Sequence, residues 1–202
     1  MNILDYLNKD ELEEYTYIKE YTSNMVVFNE GELCNKIGII INGEINISTY
    51  TYNNHKEIIN NLTNNDIFGN YLIHSSSPYY LGSAITLRKT KICFIQKDNL
   101  NKLFKINNQF LNAYLNLSAD ESIRLRQQVK LLSHKNIEDR ILYYLDTNSI
   151  NNKIIIKNIT WLANILNIPR PSVSRSLTIL INKGLLEKNK NVIIIKNSSL
   201  IN

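Results

Sequence analysis

Residues 159–188, ITWLANILNIPRPSVSRSLTILINKGLLEK, contain two amphipathic segments on either side of a turn that carries two prolines. In the first segment Leu162 and Leu166 fall on one face at helical spacing, and Thr160 is expected to cap the N-terminus. Asn167 follows, and asparagine tolerates the left-handed backbone that ends many helices next best to glycine. The pattern predicts a short helix that stops at a tight turn.

The second segment predicts a helix with one buried and one exposed side. Pro169 prevents the first helix from continuing, and Pro171 is expected at the first position of the second helix, where a missing N–H costs nothing. Val173, Leu177 and Leu180 recur at the i, i+4, i+7 spacing of a buried stripe. We therefore expect the arginines and hydroxyl residues between them on the outside.

An exposed surface of arginine and short hydroxyl side chains suits the major groove of DNA. Arginine can donate two hydrogen bonds to guanine O6 and N7, and serine fits close to a phosphate or a base edge. Gly184 is expected to end the helix, and LLEKNKNVIIIKN then predicts a basic hairpin that pairs with KIIIK at residues 153–157. The predicted DNA contacts are Arg170, Ser172, Ser174, Arg175, Thr178, Thr160, Lys188 and Lys190.

The charge distribution favours a polyanionic partner for the last third of the chain. Residues 1–132 carry 13 Lys/Arg and 14 Asp/Glu, whereas residues 133–202 carry 10 and 4, so the whole excess of the +5 chain lies after residue 132. Nucleic acid is the simplest such partner, although basic solvated faces are common.

The rest of the composition indicates a cytoplasmic protein that is not an enzyme. Apolar runs are shorter than the roughly 20 residues that cross a bilayer, and the acidic N-terminus is unlike a signal peptide, so we expect no membrane partner. No P-loop, G-x-S-x-G or H-E-x-x-H motif occurs. The two cysteines, Cys34 and Cys93, cannot form a four-ligand metal site alone, so no metal is predicted.

The N-terminal part predicts an antiparallel roll after a short acidic helix. Residues 1–23 are acidic and favour the helix, and short apolar alternations, including MVVF, NEGE, KIGIIINGEINIS and KICFI, follow from residue 25 to about residue 94. Turn signals recur between them, and Asn42-Gly43 predicts a hairpin.

Residues 106–132 carry a seven-residue repeat that predicts a dimerisation helix. Positions 111 to 132 repeat at spacings of 4, 3, 4, 3, 4 and 3, which is the a/d seam of a coiled coil. A helix lying on the core of its own domain is the alternative. Ser133 is expected to cap a new helix after this one. The predicted dimer interface is Leu111, Leu115, Ser118, Ser122, Leu125, Val129 and Leu132.

With these features the sequence resembles the Crp/Fnr family of transcription regulators, over roughly residues 20–197. The segment quoted first is similar to the winged helix-turn-helix of that family, with its V-S-R-x-L core at Val173, Ser174, Arg175 and Leu177. The resemblance implies an α+β protein with three parts: a cyclic-nucleotide-binding-like β-roll (jelly roll) at residues 1–105, a long dimerisation helix at 106–132, and a winged helix-turn-helix DNA-binding domain at 133–202.

The family's cyclic-nucleotide cassette, F-G-E-L…R-S-A, is altered here. In members that bind cyclic AMP the glutamate holds the ribose and the arginine neutralises the cyclic phosphate. Asn70 and Gly82 stand in their places, while Gly69, Ser83 and Ala84 are kept. Burying a phosphate without a cation is costly, so we expect no cyclic AMP.

Other effectors of the family lack their residues too. Two distant cysteines exclude an iron–sulfur sensor, and the isolated His55, His74 and His134 disfavour haem, so we predict no known cofactor. Cys34 is expected to be structural rather than redox-active, and Cys93 to be core packing. Tyr79 and Tyr80 either line a pocket for another small molecule or fill it. Arg126 and Gln127, with Arg124 and Gln128, are the polar groups that the dimer helix would bring to such a pocket.

The sequence therefore predicts a homodimeric regulator that recognises an inverted repeat in double-stranded DNA. A contact with RNA polymerase is possible if the protein activates transcription, but the residues do not place one. The alternative is a ligand-binding signalling module whose C-terminal third docks onto protein partners.

Overall fold

The N-terminal strands form two four-stranded antiparallel sheets. The computed structural model of the chain describes residues 2–50 and 56–196. The chain folds into two compact units, residues 1–120 and residues 121–202. The first unit begins with a 3-10 helix at Ile3–Tyr6 and the helix α1 at Lys9–Tyr15. Its strands are β1 Tyr17–Tyr21, β2 Val26–Phe28, β3 Lys36–Asn42, β4 Glu44–Tyr50, β5 Lys56–Thr63, β6 Ile67–Phe68, β7 Ser83–Thr86 and β8 Thr90–Gln96.

One sheet has the strand order β1-β8-β3-β6 and the other has the order β2-β7-β4-β5. Large apolar side chains from both sheets are fully buried, among them Phe94, Ile39 and Ile45. Two helices follow, α2 at Lys97–Ile106 and α3 at Asn108–Ser133, and α3 contributes residues to both units. The predicted antiparallel roll is confirmed in this unit.

Two local predictions within the roll are wrong. Residues 17–21 are not helical but form the edge strand β1, since helix α1 ends at Tyr15 and the ring of Tyr17 stacks on that of Phe94 with centroids 5.3 Å apart. NEGE is not a strand either; it forms a turn that leads to an isolated bridge between Leu33 and Tyr79.

Asn42-Gly43 does not make the predicted hairpin. β3 pairs with β8 and β6, whereas β4 pairs with β5 and β7, so the chain passes from one sheet to the other at this point. Gly43 has φ +127°, and an added Cβ would lie 2.6 Å from the Cα of Thr90. The glycine is therefore required by a close corner between two sheets rather than by a two-residue turn.

The second unit joins the C-terminal part of α3 to a small domain. Its elements are α4 Ile137–Asn148, β9 Lys153–Ile155, α5 Ile159–Leu166, α6 Arg170–Asn182, β10 Leu186–Asn189 and β11 Val192–Ile195. The three strands form an antiparallel sheet in the order β10-β11-β9, which confirms the predicted pairing of the hairpin with KIIIK. Leu131 of α3, Ile141 of α4, Leu162 of α5 and Val173 of α6 share one buried core.

Two predicted helix caps are wrong in this unit. The side chain of Asn158, not Thr160, accepts a hydrogen bond from the N–H of Trp161 at 2.7 Å, so α5 begins two residues earlier than expected. Ser133 is the last residue of α3, where its hydroxyl donates to the carbonyl of Lys130, and α4 begins after Asn136.

The turn between α5 and α6 agrees closely with the prediction from the sequence. Asn167 adopts the predicted left-handed conformation, with φ 51° and ψ 50°. Pro169 precedes α6 and Pro171 is its second residue, one position later than expected. The missing N–H still falls in the first turn, where no intrahelical partner exists.

Candidate nucleic-acid interface

Helix α6 is buried along one side and exposed along the other. Val173, Ser176, Leu177 and Leu180 are buried in the core of the second unit. The side chains exposed to solvent include Arg170, Pro171, Ser174, Arg175 and Thr178, together with the apolar Ile179. Ser172 is half-buried on the flank of the helix, so it is less accessible than the other predicted contacts.

Two of the exposed side chains are aligned with the helix by hydrogen bonds to its own carbonyls. Arg175 Nε donates to the carbonyl of Pro171 at 3.4 Å, and Thr178 Oγ1 donates to the carbonyl of Ser174 at 3.1 Å. A side chain held by Nε leaves the outer end of the planar guanidinium directed away from the backbone. Arg175 as a whole stays exposed to solvent.

The end of α6 is closed by the predicted glycine. Gly184 has φ +72°, its N–H donates to the carbonyl of Ile181, and the N–H of Leu185 donates to that of Leu180. This is the Schellman arrangement, which turns the chain directly into β10. Lys183 Nζ, at the same end, forms an ion pair of 2.8 Å with Glu138 on α4.

The hairpin β10–β11 exposes lysines beside this helix. Its turn is formed at Lys190, which has φ 51°, and both Lys188 and Lys190 are exposed. Lys196 is bound to Glu187 at 2.7 Å, and this contact lowers the pKa of the glutamate. Lys196 is therefore paired with a carboxylate of the same hairpin.

A depression of about 270 Å³ brings three of the predicted DNA contacts together. It is formed where the start of α5, the start of α6 and the hairpin meet, and it is lined by Ile156, Asn158, Ile159, Thr160, Arg170, Lys188 and Asn191. Thr160 does not cap α5, but it lies in this depression beside Arg170 and Lys188. Two cations beside a hydroxyl and two amides suit an anionic ligand such as a phosphate.

The long helix α3 leaves apolar side chains of the predicted seam exposed. Leu115, Leu125, Val129 and Leu132 are 54%, 50%, 69% and 41% exposed. Ser122 is also exposed, whereas Leu111 and Ser118 are half-buried. Ile123 is 56% exposed as well but lies on another side of the helix.

The cassette region of the roll is packed with aromatic rings. Tyr80 is buried and stacks on Phe28 with ring centroids 3.7 Å apart, and Phe28 in turn lies 5.4 Å from Phe68. Burial raises the pKa of the Tyr80 hydroxyl, and the neighbouring Cys34 thiol adds to this effect. Tyr79, in contrast, is 49% exposed. Of the two tyrosines, Tyr80 fills space inside the roll.

The remaining predicted effector residues are divided between the units. Asn70 is buried and its backbone carbonyl accepts a hydrogen bond of 2.8 Å from Tyr114 on α3, while Ser83 Oγ accepts from the N–H of Glu30 at 3.0 Å. Gly69, Gly82 and Ala84 are also buried. Arg126 and Gln127 belong to the second unit, where Gln127 lines a depression of about 440 Å³ with Arg124, Gln128, Leu131, Tyr143, Tyr144, Thr147, Asn148, Asn164 and Ile165.

Residues 18–107 match the family model described as the cyclic nucleotide-binding domain. Solved structures of similar fold cover nearly the whole chain. A cysteine-to-serine variant of CprK in complex with OCPA is 17% identical and covers 100% of this chain and 92% of its own, with a TM-score of 0.69.

Two further structures show the same fold. A CooA mutant from Carboxydothermus hydrogenoformans is 18% identical and covers 100% of this chain and 94% of its own, with a TM-score of 0.62. Catabolite activator protein from Thermus thermophilus is 16% identical, with coverages of 98% and 95% and a TM-score of 0.58. No curated protein sequence matches the chain. The resemblance to Crp/Fnr regulators is confirmed for the domain and the fold.

Both cysteines of the roll, Cys34 and Cys93, are buried. Burial raises the pKa of Cys34 and of Cys93, and the Cys34 thiol donates to the carbonyls of Lys36 and Gly69 at 3.5 and 3.6 Å. A buried thiol with a raised pKa is a poor nucleophile and resists oxidation. The surroundings of Cys34 therefore favour a structural role for this thiol.

The described part of the chain shows no cluster of three or more His, Cys, Asp or Glu side chains that could hold a metal ion. His74 contacts Asn101 at 3.1 Å, and the His134 ring lies 4.7 Å from that of Tyr143. His55 lies outside the described residues. Within residues 2–50 and 56–196, no helix combines the length and apolar character that a bilayer crossing needs.

Proposed function

We propose that the chain is a homodimeric, DNA-binding transcription regulator of the Crp/Fnr type and that α6 is its recognition helix. The observation that carries this proposal is the orientation of α6: its apolar stripe is buried, and Arg170, Ser174 and Arg175 face solvent. A core-anchored helix with an exposed arginine face meets the steric and chemical needs of the major groove. We assign no catalytic reaction to the chain and place it in the cytoplasm, where its DNA target would be.

The elements around α6 support a winged helix-turn-helix. α5 and α6 are joined by the short turn at Asn167, and the hairpin β10–β11 follows directly after Gly184. In this arrangement α5 lies over the sugar–phosphate backbone while α6 enters the groove, and the hairpin acts as the wing. Thr160, Lys188 and Lys190 would contact phosphates, which position the protein without specifying a sequence.

Base recognition would fall to the arginines of α6. Each can form a bidentate pair with a guanine, and one such pair contributes about 1–3 kcal/mol of discrimination. Many Crp/Fnr members carry a glutamate where Pro171 stands, and glutamate can accept a hydrogen bond from cytosine N4. Proline has no such acceptor, so the preferred half-site should differ from theirs.

Pairing through α3 would place two recognition helices on one face of the duplex. Burying a leucine or valine side chain contributes about 1.5–3 kcal/mol, and each subunit offers Leu115, Leu125, Val129 and Leu132. A two-fold dimer requires half-sites about 34 Å apart, which is one turn of B-DNA. The operator is therefore expected to be an inverted repeat.

We expect substitutions of Arg175 to separate sequence-specific from non-specific DNA binding. Arg175→Lys keeps the charge but loses the planar fork, so affinity for an operator selected from a random DNA pool should fall about 10- to 100-fold. Affinity for unrelated DNA, which depends on charge, should stay unchanged, and Arg175→Ala should lower both. Fluorescence anisotropy titrations at one fixed salt concentration measure the affinities. Equal operator affinity of Arg175→Lys and the wild type would contradict the role of α6.

A charge placed in the α3 seam should dissociate the dimer. Val129→Glu puts a carboxylate where two apolar side chains would meet, and burying it unpaired is strongly unfavourable. Light scattering coupled to size exclusion should show a monomer at micromolar concentration. Gln127→Glu adds the same charge on the opposite side of α3 and should remain dimeric. A dimeric Val129→Glu variant, or a monomeric wild type, would contradict pairing through this seam.

We also propose that the roll is not controlled by cyclic AMP, by an iron–sulfur cluster or by haem. The cassette lacks the arginine and glutamate of cyclic AMP receptors, and the Tyr80 ring lies in the aromatic stack with Phe28. Isothermal titration calorimetry with cyclic AMP should therefore give no binding heat at micromolar concentrations. Tight, saturable binding would overturn this part of the proposal and would favour a ligand-binding signalling module.

A further inference from the structure

The Arg140 side chain on α4 donates hydrogen bonds to three segments of the second unit. Its Nη2 lies 3.2 Å from the carbonyl oxygen of Leu132, near the end of α3. Nε and Nη2 lie 3.3 and 2.8 Å from the carbonyl of His134, in the link between α3 and α4. Nη1 lies 3.3 Å from the carbonyl of Leu166, the last residue of α5.

Two of these acceptors, the carbonyls of Leu132 and Leu166, lie at the C-terminal ends of helices. The last four carbonyls of a helix have no partner within it, and together they form the negative pole of the helix dipole. α3 ends at Ser133 and α5 ends at Leu166, so one guanidinium serves both negative ends at once. A charged donor strengthens each of these hydrogen bonds relative to a neutral one.

We propose that Arg140 is a positioning residue that fixes the direction of the α3 end relative to α5 and, through the turn at Asn167, relative to α6. The functional importance of this link rests on the proposed function. If α3 carries the dimer seam and α6 contacts DNA, the spacing between the two recognition helices of a dimer is set at this junction.

Apolar and ring contacts at the same junction also hold the end of α3 against α4, but they do not fix the direction of the two helices. Leu131 is buried in the core of the second unit, and the Tyr143 ring lies 4.7 Å from the His134 ring and 5.1 Å from Lys130 Nζ. Burial of Leu131 is not directional, and the ring and cation–ring contacts fix an orientation less tightly than several charge-assisted hydrogen bonds do. The planar guanidinium adds direction, since its donors are fixed in a fork.

Substituting Arg140 by lysine or by glutamine separates the effect of the planar guanidinium from the effect of its charge. Arg140→Lys keeps a cation near the helix ends but cannot reach three carbonyls with fixed geometry, and Arg140→Gln removes the charge as well. Glu138→Gln is the matched control on the same helix: it removes the ion pair with Lys183 and leaves the α3 carbonyls bound.

Spin-label distance measurements test the positioning role in the full-length protein without DNA. Labels on Arg126→Cys in α3 and Thr178→Cys in α6 span the junction, since both positions are exposed. The buried Cys34 and Cys93 should stay unlabelled. Mixing labelled chains with an excess of unlabelled chains isolates the distance within one subunit.

The wild type and Glu138→Gln should give one narrow distance distribution. Arg140→Lys should give a distribution about twofold broader, and Arg140→Gln should be at least as broad. Fluorescence of Trp161, the single tryptophan, should report an unchanged fold in all of them. These distances are measured without DNA, so they do not depend on whether the chain binds DNA. A failure of the proposed function can therefore be distinguished from a failure of the positioning role.

Two outcomes would overturn the proposal. Distributions as narrow in both Arg140 variants as in the wild type would show that the other contacts fix the direction. Unfolding of the second unit in Arg140→Lys, seen as loss of the native Trp161 emission, would assign Arg140 to folding rather than to positioning.

Discussion

Burial of one stripe of α6 fixes which side of the helix faces solvent. Val173, Leu177 and Leu180 are almost fully removed from solvent, and they contribute several kilocalories per mole by burial. Rotating the helix to hide its arginines would expose these side chains and bury charge, and both changes are unfavourable. The apolar stripe therefore decides which residues can meet a partner, although it contacts none itself.

The surrounding elements extend the same logic. Asn167 and Pro169 end α5 sharply enough for α6 to pack on the same core, and Gly184 returns the chain into the hairpin without a long loop. Thr160, Arg170 and Lys188 thereby reach one depression from three different elements. In the first unit burial removes a candidate effector contact from solvent, since the Tyr80 ring is part of the roll's own aromatic packing.

Features set by local chemistry could be predicted from the sequence. The left-handed Asn167, the glycine after α6 and the buried stripe of α6 each depend on residues within a few positions or on simple periodicity. The pairing of the hairpin with KIIIK is a distant contact that the sequence also predicted. Other features set by distant contacts could not be predicted. The strand β1 forms because β8 offers it an edge, and Gly43 is a corner because Thr90 lies against it. Arg140 gave no signal, since its acceptors are backbone carbonyls that no residue type reveals.

Guanine methylation interference on an operator selected from a random DNA pool tests directly whether the exposed face of α6 enters the major groove. Methylation at N7 blocks the major-groove edge that an arginine fork requires. Binding should be lost when guanines are methylated in two half-sites about 10 base pairs apart, and Arg175→Ala should lose sensitivity at one guanine in each half-site. Binding that is indifferent to N7 methylation throughout the operator would show that the exposed face of α6 does not enter the major groove.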